Sequence, residues 1–206
     1  MIHPRVVALA AAAIVALSAG APRAQEALPD IAQGEQHPPL ADEAPQTPAE
    51  RLDALFASLG DADPTDAARL ERQILDLWSR SGSDSMDFLL RRGRESLDAE
   101  EYDKSVAHLS ALIDLAPEFA EAWNMRATAH FMAKDYWASM ADIQRTLALE
   151  PRHFGALVGL ATILEQTGDS AGALRAHRAA LALHPSLEPA TRAVERLAAE
   201  VDGRDI

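Results

Sequence analysis

Three prolines, Pro117, Pro151 and Pro185, follow one another at intervals of 34 residues, and each has a leucine two places before it: Leu115, Leu149 and Leu183. A fixed interval of this size marks stacked supersecondary units, because one unit is too small to bury its apolar face alone and must pack on its neighbours. Laid over one another at that offset, Leu89, Trp123 and Leu157 coincide, and so do the small residues Gly93, Ala127 and Ala161. Further along, Tyr102, Tyr136 and Ser170 coincide, then Val106, Met140 and Leu174, then Ile113, Leu147 and Leu181. Apolar residues return at three- and four-residue spacing on either side of the short stretches LDAEEY, MAKDYW and EQTGDS. Each unit therefore reads as two amphipathic helices joined by a turn. The shared small residues belong where two helices approach closely, since neither can present bulk there.

The interval, Trp123 near the start of a first helix, the small Ala127 after the step NMR, the pair Asp135 and Tyr136 opening a second helix, and the closing LALEP all resemble the tetratricopeptide repeat (TPR). The resemblance runs from about Met86 to Pro185. It implies an all-α, right-handed α-solenoid of stacked antiparallel helix hairpins, with units at 86–119, 120–153 and 154–187. Some residues depart from the family pattern: Ser96 and His130 stand where a large residue is usual, Ser105 and Ser139 replace alanine, and His177 replaces a bulky apolar residue. These are expected to loosen the packing locally. After Pro185, residues 188–206 read as a capping helix and tail that shield the end of the array, with Ser186 as its cap.

Upstream, residues 49–82 form a divergent helical hairpin. Leu52, Leu55, Phe56 and Leu59 share one face of a helix that ends at Gly60, and Leu70, Ile74, Leu77 and Trp78 share one face of the next. Asp63 before Pro64 is the expected N-cap and first-position pair of that second helix. Its place in the chain predicts that the hairpin opens the stack and covers the first unit. Residues 25–48 carry five prolines and hardly a large apolar side chain, so they read as a disordered, Pro-rich linker. Residues 1–24 have a basic start at Arg5, an apolar run from Val6 to Ala19 and small residues after it, the pattern of a signal peptide cleaved between about residues 20 and 24. Export to the periplasm follows as an expectation, with no integral membrane span in the mature form.

Charge and chemistry narrow the function. Nineteen basic against 32 acidic residues give a net charge of −13, which argues against nucleic acid, whose binders carry excess Lys and Arg. The absence of cysteine excludes thiol catalysis, thiolate metal sites and disulfides. No glycine-rich phosphate loop, nucleophile elbow or zinc-binding helix motif occurs, and the seven histidines never pair at three- or four-residue spacing. No catalytic, cofactor or metal site is expected, and Arg91, Arg92 and Arg94 read as a solvated helix face beside Asp87, Asp98, Glu100 and Glu101. Function then belongs to a surface, and the chain reads as a scaffold that binds a protein or peptide and assists assembly of an envelope complex.

By the family resemblance, the first helix of each unit lines a concave groove. Helical spacing places Leu90, Arg94 and Leu97 of unit one there with Asp87, then Asn124, Thr128 and Phe131 with Glu121, then Val158, Thr162 and Glu165. Members of the family that bind chaperone tails hold a terminal carboxylate with Lys, Asn and Arg in this groove; here Leu90, Met125 and Gly159 stand in those places, so that clamp is missing. The alternative reading is a structural protein that self-associates as a homo-oligomer through an exposed Trp137.

Overall fold

A computed structural model describes residues 47–202, and among them every regular element is an α-helix. The expected signal peptide and nearly all of the expected linker lie outside the described residues. The helices are α1 (Pro48–Leu59), α2 (Pro64–Trp78), α3 (Asp84–Asp98), α4 (Tyr102–Leu115), α5 (Ala120–Met132), α6 (Tyr136–Leu149), α7 (Phe154–Gln166), α8 (Ser170–Leu183) and α9 (Glu188–Asp202). They form an all-α helical repeat solenoid.

Local chemistry sets the helix starts. Thr47 and Glu50 cap α1 reciprocally: the Glu50 N–H donates to the Thr47 hydroxyl at 3.2 Å, and the Thr47 N–H to the Glu50 carboxylate at 2.7 Å. Thr47 and Pro48, assigned to the linker from sequence, therefore belong to the helix, and Pro48 sits in the first turn where its missing N–H would be unpaired anyway. The Asp63 carboxylate accepts from the Thr65 and Asp66 N–H groups and caps α2. At α3 the cap position falls to Ser83, and Asp84 is the first helical residue, its charge favoured by the positive end of the helix dipole.

The pairs α3–α4, α5–α6 and α7–α8 pack as hairpins, and the small residues Gly93, Ala127 and Ala161 are buried in them. Leu109 is fully buried against Gly93, where an added Cβ would come within 2.6 Å of the Leu109 Cγ. The serines expected to loosen this packing tie it together. The Ser105 hydroxyl donates to the Gly93 carbonyl at 2.9 Å and the Ser139 hydroxyl to the Ala127 carbonyl at 2.8 Å, both side chains being buried. A helix carbonyl already bonded within its own helix keeps a second lone pair, and the hydroxyl uses it to join the two helices. In the third unit Ala173 occupies that position, and the cross-helix tie is His177 to Glu165 at 3.1 Å. Each hairpin turns through one left-handed residue: Glu100 (φ 59°), Lys134 (φ 65°) and Gly168 (φ 84°), again at the 34-residue interval.

The stack begins at α3. In α5 the residues packed on the preceding hairpin include Ala122 and Met125, both buried, and in α7 their counterparts are Ala156 and Gly159. At the same offset α3 has Phe88 and Arg91, both exposed, with the Arg91 guanidinium 5.3 Å from the Phe88 ring centre. A charged residue in place of an uncharged one ends the array, because it would lose its hydration with no partner to replace it.

The hairpin α1–α2 consequently does not cover the first unit, as its place in the sequence predicted. It packs on the third. Leu52, Leu59, Ala67, Leu70, Ile74 and Trp78 share one buried cluster with Phe154 and Ala180, and Leu157 and Leu187 pack against it. Phe154 offers an aromatic face to Phe56 and Trp78, with ring centres 6.4 and 5.3 Å away. Around that contact, Asp53 pairs with Arg152 at 2.7 Å and Glu71 lies 3.4 Å from His184. At the other side of the unit α9 buries Leu197, with Val194 and Ala198, over Ala161, Ala173 and Leu174.

Candidate functional site

The first helices α3, α5 and α7 carry the residues assigned to the groove, and the structure sorts them into different environments. Asn124, Thr128, Phe131 and Thr162 line one cleft between α5 and α7, of about 120 Å³. Its other walls are Ala127, Gly155, Gly159 and Ile163 from the same helices and Ser139 and Ile143 from α6 beneath. Ile143 is not among the residues that the sequence spacing singled out. It reaches the cleft because Gly159 has no side chain to cover it; a Cβ there would sit 3.5 Å from the Ile143 Cδ1.

The remaining groove assignments fall elsewhere. Leu90 is only 3 % exposed and packs with Leu109, Leu112 and Met125, so it is core and not a groove anchor. The reason is α5, whose Met125 closes over it from the next unit. Leu97 is half-buried against the same cluster, and Val158 against the cluster formed with the α1–α2 hairpin. Arg94 remains on the surface, 3.9 Å from the Glu121 carboxylate and from the Met125 sulfur. Glu165 is held between His177 and Arg196. Burial pushes its carboxyl up, but the hydrogen bonds and charges of those two partners outweigh burial and hold its pKa below the usual carboxylate value.

At one end of the cleft lies a buried polar chain that sequence reasoning did not connect. The His153 Nδ1 accepts the Ala156 N–H at 3.1 Å, capping α7. That leaves Nε2 to donate to the Glu121 carboxylate, also at 3.1 Å, and the same carboxylate oxygen accepts from the Asn124 amide at 3.2 Å. Glu121 thus fixes which way Asn124 points: its N–H toward α5's own first turn, its carbonyl oxygen free. On the opposite side of α5, Arg126 makes two hydrogen bonds of 2.8 Å to buried Asp142 and a third to Ser110, and its guanidinium lies 4.9 Å from the Trp123 ring centre. These bonds tie α5 to α6 through Asp142 and to α4 through Ser110.

Among the described residues no group of three or more His, Asp or Glu is placed to hold a metal ion, and no helix is long and apolar enough to cross a membrane. The three arginines expected on a solvated face are there: Arg92 pairs with Glu95, Arg94 approaches Glu121, and Arg91 covers Phe88. Trp137 is 83 % exposed.

No protein-family model matches the chain. A TPR repeat-containing protein of Rhizobium etli is 35 % identical over 161 residues, covering 78 % of this chain and 79 % of that protein. Among solved structures, the first TPR domain of RPAP3 (Spaghetti) bound to the HSP90 peptide SRMEEVD superposes with a TM-score of 0.55 at 18 % identity, over 57 % of this chain and 93 % of that one. MamA superposes with a TM-score of 0.54 at 23 % identity, over 68 % and 80 %. The TPR2B domain of yeast Sti1 in complex with an Hsp70 peptide gives 0.53 at 20 % identity, over 59 % and 99 %. These structural likenesses concern the fold.

Proposed function

The chain belongs to the tetratricopeptide repeat family, and from that premise we propose that it is a periplasmic interaction module that binds a segment of a partner protein in its concave cleft and assists assembly of an envelope complex. The observation that carries this reading is the cleft between α5 and α7: Phe131 and Ile143 offer apolar surface there, and Asn124, Thr128 and Thr162 border it. Apolar surface gathered in a concavity is stabilised by a ligand that removes it from water. The neighbours whose structures contain HSP90 and Hsp70 peptides support a peptide as the ligand class. Export rests on the sequence pattern of residues 1–24.

The test compares immobilised protein with its Phe131→Ala and Arg175→Ala variants in capture from solubilised envelope proteins. Loss of an aromatic anchor commonly costs about 2 kcal/mol or more of binding, so partners retained by the parent and by exposed Arg175→Ala should be lost by Phe131→Ala at an unchanged melting temperature. The same partners on all three would rule out the cleft. A second reading, self-association, is favoured by the exposed Trp137. Light scattering over a concentration series separates the two, a defined dimer abolished by Trp137→Ala supporting self-association.

A further inference from the structure

The polar atoms that border the cleft have a common sense. The Thr128 hydroxyl donates its proton to the Asn124 backbone carbonyl at 3.0 Å, and the Thr162 hydroxyl donates its own to the Val158 backbone carbonyl at 2.9 Å. A hydroxyl has one proton and two lone pairs, so what each threonine has left for a ligand is an acceptor. Asn124 gives an amide N–H to Glu121 and leaves its carbonyl oxygen. Three side chains on two helices therefore present acceptor oxygens over a floor of Phe131, Ile143 and Ile163.

The charged groups beside the cleft point the same way. Arg94 lies by Glu121 and Arg196 is bound to Glu165, so these two arginines already face carboxylates. His153 has both ring nitrogens engaged, one by Ala156 and one by Glu121. A ligand carboxylate would meet acceptors and matched arginines. A ligand cation meets acceptors, the oxygens of Thr128, Thr162 and Asn124. It also approaches a chain of net charge −13, whose field draws basic segments.

We infer that the cleft receives a lysine side chain from an extended segment of the partner protein, its aliphatic stem lying on Phe131 and Ile143 and its ammonium facing the oxygens of Thr128, Thr162 and Asn124. Lysine fits better than arginine because an ammonium carries three donors about a compact charge and can serve three separate acceptors. A guanidinium is a planar fork suited to a carboxylate, and no carboxylate lines the cleft. The long apolar stem of lysine with its charged tip matches an apolar floor with an acceptor rim. This inference rests on the cleft being the binding surface, as proposed above.

The experiment uses affinity selection of capped heptapeptide pools on the purified chain. The central residue is fixed as Lys, Arg, norleucine or Glu, and the flanking positions are randomised over Ala, Leu, Ser and Thr. The Lys pool is expected to be retained about tenfold over the norleucine and Glu pools, and above the Arg pool. The double variant Thr128→Val, Thr162→Val keeps the shape of the cleft and removes two acceptors; it should bring Lys down to the norleucine level while still binding norleucine. Equal or better retention of Glu, or a Lys preference unchanged in the double variant, overturns the lysine assignment and leaves the cleft standing. Retention of every pool unchanged by Phe131→Ala, or no retention at all, overturns the cleft reading and the lysine assignment with it.

Discussion

Trp78, the last residue of α2, lies flat against His153 at the start of α7, with ring centres 4.2 Å apart and planes within 9°. This contact joins the opening hairpin to the third repeat unit across two units of chain. It also stands over the chain His153, Glu121 and Asn124 that orients the cleft. The hairpin is thus a brace for the site, and its removal should be felt at Asn124 as well as in the core.

Trp78→Ala opens a large hole beside Phe56, Phe154 and His153 and should destabilise the fold by about 3–5 kcal/mol. The buried indole Nε1 has no hydrogen-bond partner, so Trp78→Phe loses packing alone and should cost markedly less. Urea unfolding of the two variants checks this. Equal losses would show that the ring stack contributes little.

Gly93→Ala should destabilise despite alanine's higher helix propensity, because its Cβ would sit 2.6 Å from the Leu109 Cγ and force a buried leucine off its rotamer. Overpacking of this kind commonly costs about 1–3 kcal/mol. Unit two uses Ala127 with Ile143 at the same two positions. Gly93→Ala combined with Leu109→Ile should therefore recover part of the loss in thermal melts. No recovery would show that the backbones lie closer in unit one.

The left-handed turn residues predict opposite signs for two simple changes. Lys134 holds φ 65° with a side chain attached, so Lys134→Gly should stabilise by up to about 1 kcal/mol, less what glycine adds to the entropy of the unfolded chain. Gly168 holds φ 84° freely, and Gly168→Ala should destabilise by about 1 kcal/mol. Both are read as shifts in the denaturation midpoint at constant slope.

Asp87 predicts a pH effect. Its carboxylate accepts from the Ser81 hydroxyl at 2.6 Å and from the Ser81 backbone N–H at 2.8 Å, and these bonds hold its pKa below the ordinary aspartate value. A depressed folded-state pKa contributes stability that is present above the unfolded value, near pH 4, and is lost as pH falls through the folded one. Asp87→Asn should therefore lower stability at neutral pH and flatten its decline below about pH 4. A parallel decline in both proteins would remove Asp87 from that window.

The sequence determined the unit of structure. The interval between Pro117, Pro151 and Pro185, the small residues Gly93, Ala127 and Ala161, and the apolar spacing around them are local or strictly periodic, and such signals survive in one dimension because each helix and each hairpin obeys them by itself. The Asp63 cap and part of the cleft, Asn124, Thr128, Phe131 and Thr162, were legible for the same reason: they follow from helical phase. Tertiary structure alone decided what depends on choosing between partners. Leu90 has the phase of a groove residue, yet Met125 from the next unit closes over it. Ser105 and Ser139 look like packing losses until the Gly93 and Ala127 carbonyls are brought within hydrogen-bond reach. The hairpin α1–α2 is apolar on one face, which requires a cover without naming it. Stacking on α3 would have desolvated Arg91, whereas Phe154 and His153 offered rings to Phe56 and Trp78. That difference in desolvation lies between residues far apart in the chain, so only the folded molecule settles it.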